Sequence, residues 1–268
     1  MRVLLRGVRG SVPSPGAETV GYGGNTSCLE VRATPGCLTV LDAGTGIRAI
    51  DTKPGELHRV DVLLTHLHMD HILGLGFFRP LYEAGLEIHV WGPPSEKRSL
   101  RRRLTRYLSP PLFPVRLQEM PSRLELHDAP PVFRIPGLSV ATALVCHPGA
   151  TLGYRLEGER GGALTYIPDH EPARDGGRGS GDGLARGADV LVHDAQFTDE
   201  EYPAHAGWGH SSVSQALAFA ERAGVARFVP FHHAPDHGDA ALDAIWAAAA
   251  PGAPFAVIPA REGMELVV

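Results

Sequence analysis

Hydrophobic positions along this chain keep two rhythms. Short, largely apolar runs bounded by Gly, Pro or Asp read as strands over 3–5, 27–31, 37–41, 61–65, 86–91, 140–146, 151–156, 163–167, 189–192, 227–231, 255–258 and 264–267. Longer stretches with helical spacing read as helices over 95–108, 211–223 and 240–250; in the second, Val213, Ala216, Leu217 and Ala220 share one face. Thr34-Pro35-Gly36 is a hairpin signal between two strand runs, and Asp42-Ala43-Gly44-Thr45-Gly46 turns the chain into a short helix. The Gly- and Pro-rich stretch 10–25 must be a long loop, a type that is usually functional or disordered when it occurs in a compact domain. The Gly-, Arg- and Asp-rich stretch 171–183 reads as a mobile loop. Strands cluster early and alternate with helices later, which predicts a layered α/β domain with sheets inside and helices outside. No short repeat and no linker interrupts the pattern, so residues 1–268 are expected to form one domain, with 93–117 a candidate lid or dimer segment.

Composition narrows the class. The 268 residues are 43% hydrophobic and 21% charged, enough for a sizeable core. A net charge of −5 and a pI of about 6.3 argue against a surface that grips nucleic acid everywhere, although a local basic patch is compatible with them. The apolar run near the N-terminus is too brief for a signal-peptide core, and no segment reaches membrane-spanning length; a cytoplasmic protein is expected. Cys28, Cys37 and Cys146 are odd in number and form no CxxC pair, which speaks against a disulfide framework. Fourteen histidines are the informative count.

The strongest chemical signal is Thr65-His66-Leu67-His68-Met69-Asp70-His71, directly after the apolar strand residues Val62-Leu63-Leu64. In extended backbone, alternate side chains share a face, so His66 and His68 can address one metal. Asp70 and His71 follow where the chain turns into a helix and can address a second. Imidazole and carboxylate are ligands that Zn²⁺ accepts, and a purely polar loop would leave costly buried groups unpaired. Further candidates sit at strand ends: His147, Asp169, and one of the adjacent pair His232/His233, with His232 preferred. Asp169 has two oxygens and could bridge both metals.

THLHMDH at 65–71, followed by His147, Asp169 and His232, resembles the metallo-β-lactamase superfamily. That resemblance implies a four-layer αββα sandwich of two mixed β-sheets flanked by helices. The stretch Ala188–Phe197, then Gly209-His210-Ser211-Ser212, resembles ribonuclease Z and its phosphodiesterase relatives. In that group a carboxylate on the first segment orients a histidine on the second, by position Asp194 and His210. The early residues 10–16 and 22–28 resemble bacterial cyclic-nucleotide phosphodiesterase-like members, and the long Gly/Pro arm with which ribonuclease Z grips tRNA is not evident.

The resemblance implies a dinuclear-metal phosphodiesterase acting on small phosphodiesters such as cyclic nucleotides. Two divalent ions, Zn²⁺ before Mn²⁺ or Fe, would be held by His66, His68, Asp70, His71, His147, Asp169 and His232. A bridging hydroxide would attack phosphorus, with Asp70 as ligand and proton acceptor, and His210 with Asp194 protonating the leaving group. The alternatives are a tRNA 3′-processing endonuclease, which makes RNA a second candidate partner, and a lactonase or thioesterase. A homodimer is expected on resemblance alone. Three residues remain open between readings, and a fourth does not. Asp42 either hydrogen-bonds a ligand histidine or caps a helix, and His210 could itself be a helix cap. His170 either faces substrate or has no role, and His193 reads as structural. The basic run 97–106 is either a solvated helix face or a rim that attracts phosphate.

Overall fold

The computed structural model describes residues 1–172, 179 and 181–268. Most of the loop predicted over 171–183 therefore lies outside the described residues. Six strands, β1 (Arg2–Gly7), β2 (Cys28–Arg32), β3 (Cys37–Leu41), β4 (Arg59–Leu63), β5 (Glu87–Gly92) and β6 (Arg123–Asp128), lie side by side in chain order. Seven more do the same in a second sheet: β7 (Val132–Ile135), β8 (Leu138–Leu144), β9 (Leu152–Gly158), β10 (Ala163–Ile167), β11 (Val190–Asp194), β12 (Arg227–Phe231) and β13 (Ala256–Val257). The closing strand β14 (Glu265–Val267) returns to pair antiparallel with β1. Each sheet is mixed. The run β3–β4–β5–β6 is parallel beside antiparallel β1–β2–β3, and β10–β11–β12–β13 is parallel beside antiparallel β7–β8–β9–β10.

Alternation along the strands builds the layers. Val60 and Val62 face an outer helical layer, while Leu63 faces the other sheet. Val190 and Val192 look between the sheets, and Leu191 looks outward. Val3, Leu5, Leu29, Leu41 and Leu63 of the first sheet thus meet Val140, Tyr154, Leu164, Tyr166, Val192 and Phe231 of the second. Burial of each such side chain contributes about 1.5–3 kcal/mol. Leu38, Val40 and Ile88 pack outward on Leu75, Phe78, Leu100 and Leu104. On the opposite side Ile167, Leu191 and Phe228 pack on Val213, Ala216, Phe219 and Trp246. The result is helix, sheet, sheet, helix: an αββα sandwich.

Local signals set most helix ends. The helix Val213–Ala223 begins at Ser212, whose hydroxyl accepts from the Gln215 amide while the Gln215 side chain accepts from the Ser212 amide; it stops at Gly224 in the left-handed region. The basic helix, Leu100–Tyr107, is shorter than the span 95–108 expected for it, because the chain leaves β5 through Pro93-Pro94 and the cap is Ser99. Strands β6 and β7 are absent from the hydrophobic pattern: they are sheet edges with half-exposed faces rich in charge. No helix among the described residues is long and apolar enough to cross a membrane.

The fold gathers strand ends. Residues 65–71 follow β4, His147 follows β8, Asp169 follows β10, Asp194 ends β11, and His232 follows β12. The carboxyl ends of parallel strands are where open α/β sheets usually build sites.

Candidate metal centre

Seven side chains proposed as ligands from the sequence converge. His66, His68 and His147 form one group; Asp70, His71, Asp169 and His232 form another; within each, the candidate ligand atoms lie within 4.8 Å of one another. Asp169 stands between the groups. Its Oδ2 is 3.7 Å from His66 Nε2 and 3.7 Å from His147 Nε2, while its Oδ1 is 3.1 Å from His71 Nε2 and 3.4 Å from His232 Nε2. Asp70 Oδ2 lies 3.2 Å from both His71 Nε2 and His232 Nε2.

Four of the histidines are turned the same way. Each presents Nδ1 to an outer acceptor and Nε2 to the centre. His66 Nδ1 donates to Thr65 Oγ1 (3.0 Å), and the Thr65 hydroxyl donates onward to Asp42. His71 Nδ1 donates to Asp42 Oδ2 (2.8 Å), His147 Nδ1 to the Gly209 carbonyl (2.8 Å) and His232 Nδ1 to Gln196 Oε1 (2.8 Å). Such outer partners fix the tautomer and aim the free nitrogen inward. Of the two readings of Asp42, the hydrogen-bonding one holds: it also accepts from the Thr65 amide and the Tyr166 hydroxyl, and it caps no helix. His232 and His233 diverge because the chain turns left-handed at His232 (φ 61°), and His233 Nε2 donates instead to the Ala260 carbonyl.

The donor set fits cations. His66 Nε2, His71 Nε2 and Asp169 Oδ1 are buried and have no hydrogen-bond partner. Unsatisfied groups of that kind are costly unless something else is coordinated. Asp42, Asp70, Asp169 and Asp194 are all buried, and among the described residues no Lys or Arg pairs with any of them. Buried carboxylates need countercharge. Burial pushes His66 and His147 below the usual imidazole range. Burial also opposes charge on His71, yet Asp169, Asp70 and Asp42 together lift it well above that range. Asp169 is held far below the usual carboxylate range by His232, His71 and His66, against the pull of burial. A metal-loaded sample treated with chelator is therefore expected to melt earlier. An ion present at about 1,000 times its Kd contributes about 4 kcal/mol, or roughly 10 °C in a chain of this size. A thermal midpoint that EDTA leaves unmoved would mean a self-satisfied polar core.

Beside the two groups, Asp194 Oδ2 accepts from His210 Nδ1 at 2.7 Å, and Asp194 Oδ1 accepts from the amides of Gln196 and Ser211. Ser212, not His210, caps the following helix. The His210 ring lies 5.0 Å from the rings of both His147 and His232. His170 is buried against Phe219 and bonded to His193 Nε2, and His193 Nδ1 donates to the Asp194 carbonyl, so both belong to the packing behind the site.

Beyond Gln196 and Tyr166, sequence reasoning missed three further supports. Glu171 accepts from the Gly207 and Gly209 amides at 2.9–3.0 Å and from the Tyr202 hydroxyl at 2.6 Å, fixing the loop that carries His210 and the carbonyl that holds His147. Gly209 has φ 91°, and a Cβ there would lie 2.5 Å from His147 Nδ1. Ser11, in the long early loop, donates its amide to Asp70 Oδ2 at 2.9 Å. The length of the Gly- and Pro-rich loop 10–25 pointed toward Ser11, and Gly207 and Gly209 were a further available signal.

Comparison with known proteins agrees with this geometry. The β-lactamase superfamily domain model matches residues 39–233. Ribonuclease Z of Myxococcus xanthus is 31% identical over 254 residues, covering 80% of this chain and 82% of that one. In fold, the metallo-β-lactamase fold protein YhfI of Bacillus subtilis superposes with a TM-score of 0.73 at 15% identity, covering 99% and 98% of the two chains. Yeast PDE1 superposes with a TM-score of 0.71 at 15% identity, covering 100% and 99%. The ligand pattern, the sandwich and the match across most of its length together make this chain a member of the β-lactamase superfamily and one of its metal-dependent hydrolases.

Proposed function

We propose that this chain is a dinuclear-metal phosphodiesterase acting on small phosphodiesters such as cyclic nucleotides. The observation that carries the reading is the divided carboxylate of Asp169, one oxygen toward each group of ligands. His66, His68, His147 and Asp169 would hold one divalent cation, and Asp70, His71, His232 and Asp169 the other. Zinc suits these donors first, and manganese or iron next. When bound, such a pair acidifies water and neutralises charge that builds on phosphate oxygens.

The remaining steps belong to side chains. Asp70, steadied by the Ser11 amide, takes the proton of the attacking water. His210 supplies a proton to the departing alkoxide. Burial opposes charge on the ring, but the Asp194 carboxylate bonded to Nδ1 favours the protonated form that a general acid needs. Asp194 holds Nδ1 and leaves Nε2 for the substrate. Glu171 acts through the 207–210 loop. Glu171→Gln is expected to lower kcat about ten-fold with KM nearly unchanged, the lower end of what outer partners contribute. Steady-state kinetics with metal analysis checks this, and full turnover in the variant argues against a positioning role.

One observation favours a second reading, tRNA 3′-processing: the Myxococcus relative is a ribonuclease Z. A panel of cyclic mononucleotides, linear dinucleotides and precursor tRNA, run on protein of measured metal content, separates the two. Preference for precursor tRNA by orders of magnitude in kcat/KM would overturn the small-substrate reading. The resemblance also implies a homodimer, which light scattering reads directly.

A further inference from the structure

A pocket of about 670 Å³ lies between the 67–73 segment and the helix Leu100–Tyr107. Its inner wall includes Leu67 and Met69, which alternate in sequence with His66, His68 and Asp70, so one short stretch of backbone lines both the pocket and the metal centre. The other walls include Phe77 and Tyr107, and the Tyr107 hydroxyl is tied to the Leu73 carbonyl at 2.7 Å. Met69 and Phe77 are 51% and 56% exposed, a large apolar area left in water beside a polar site. Arg103 and Arg106 also line the pocket.

The charge here is one-sided. Lys97, Arg98, Arg101, Arg102, Arg103 and Arg106 fall within ten residues that contain no acid, in a chain whose net charge is −5. Arg103 is anchored by the Pro93 carbonyl and by Asp128, yet its Nε is buried without a partner. Arg106 is exposed and has no ion pair among the described residues. Guanidinium groups bind phosphate through paired N–H donors, and apolar walls stack on the faces of bases. The volume falls within the roughly 300–1,000 Å³ of pockets that enclose small ligands. A second copy of this chain fits poorly, because a two-fold contact through this helix would press the same cations together.

We propose that this pocket is a subsite for a nucleoside bearing a second phosphate: the ring lies against Met69, Phe77 and Tyr107, and the extra phosphate meets Arg106 with Arg103. This rests on the phosphodiesterase reading. It narrows that reading from cyclic mononucleotides, which carry one phosphate, to linear dinucleotides with a terminal phosphate.

The test compares metal-loaded wild type, Arg106→Gln and Phe77→Ala on three substrates: pApA, ApA and bis(p-nitrophenyl) phosphate. In the wild type, pApA is expected to exceed ApA at least ten-fold in kcat/KM. Arg106→Gln should reduce that preference to threefold or less and leave the aryl diester untouched. Phe77→Ala should lower both dinucleotides alike. Equal turnover of pApA and ApA by the wild type overturns the proposal, as does an Arg106→Gln effect confined to the mass seen by light scattering. If no phosphodiester is turned over, the phosphodiesterase reading fails separately, and equilibrium binding decides the pocket alone. Adenosine 3′,5′-bisphosphate should then bind wild type at least ten-fold tighter than Arg106→Gln; equal binding overturns the subsite.

Discussion

Replacing Asp169 with alanine is expected to empty both cation positions together and to lower phosphodiester turnover by at least about 10³-fold, the range associated with losing a principal electrostatic element of a site. No other candidate ligand has this double reach. Its two oxygens lie 3.1–3.7 Å from nitrogens of four histidines drawn from both groups. His147→Ala, by contrast, removes a donor from the first group alone. Mass-spectrometric metal analysis is the direct measurement: about two ions per chain in the wild type, fewer than one in Asp169→Ala, and close to one in His147→Ala. Asp169→Asn, which keeps the shape but loses an anionic oxygen, controls for a folding defect and should fall between. An alanine variant that retained two ions would defeat the dinuclear reading.

His210→Ala should separate leaving groups. A general acid contributes about 10²–10⁴-fold when the departing oxygen is a poor leaving group. Hydrolysis of a dialkyl or nucleoside diester is expected to fall by that factor. Bis(p-nitrophenyl) phosphate, whose phenolate departs without a proton, should lose less than about ten-fold, because only the protonation step is missing. Metal content should stay at two, since His210 Nδ1 is committed to Asp194 and each proposed cation position would have four donors without it. Asp194→Asn should reproduce the same selectivity in weaker form. A uniform loss over both substrates would make His210 a support for its neighbours His147 and His232. Unchanged turnover of everything would favour the lactonase or thioesterase alternative, in which this pair has no leaving group to serve.

The parts of this molecule that the sequence disclosed are those whose physics is local. His66, His68, Asp70 and His71 could be read because four donors in six residues after an apolar strand are costly to bury unless they share a cation. A layered α/β domain could be read because buried strands are continuous apolar runs, while the αββα order came with the family resemblance. Asp169, His147 and His232 drew their weight from the first cluster, since a single residue at a strand end carries little information by itself. Other features depend on pairs far apart in the chain. Glu171 touches backbone amides 36 and 38 residues away, and Gln196 meets His232 across 36. Strands β6 and β7 have half-exposed faces, so their apolar periodicity is too weak to separate them from loop. The basic segment was ambiguous for a different reason: charge composition says nothing about whether an apolar hollow lies beside it.

Of the seven ligands, four follow a strand of the first sheet and three follow strands of the second, and the Tyr166 hydroxyl of the second sheet reaches Asp42 at the end of β3 in the first. A pair of ions held there would thus work as a strain gauge for the sandwich. Any sliding of one sheet over the other stretches ligand distances that tolerate only about 0.2 Å. A methyl group deleted from the apolar interior, far from any imidazole, would register as slower catalysis through leakage of metal before it registered as unfolding. Selection on turnover would then also act on the shapes of leucines and valines that never meet a substrate.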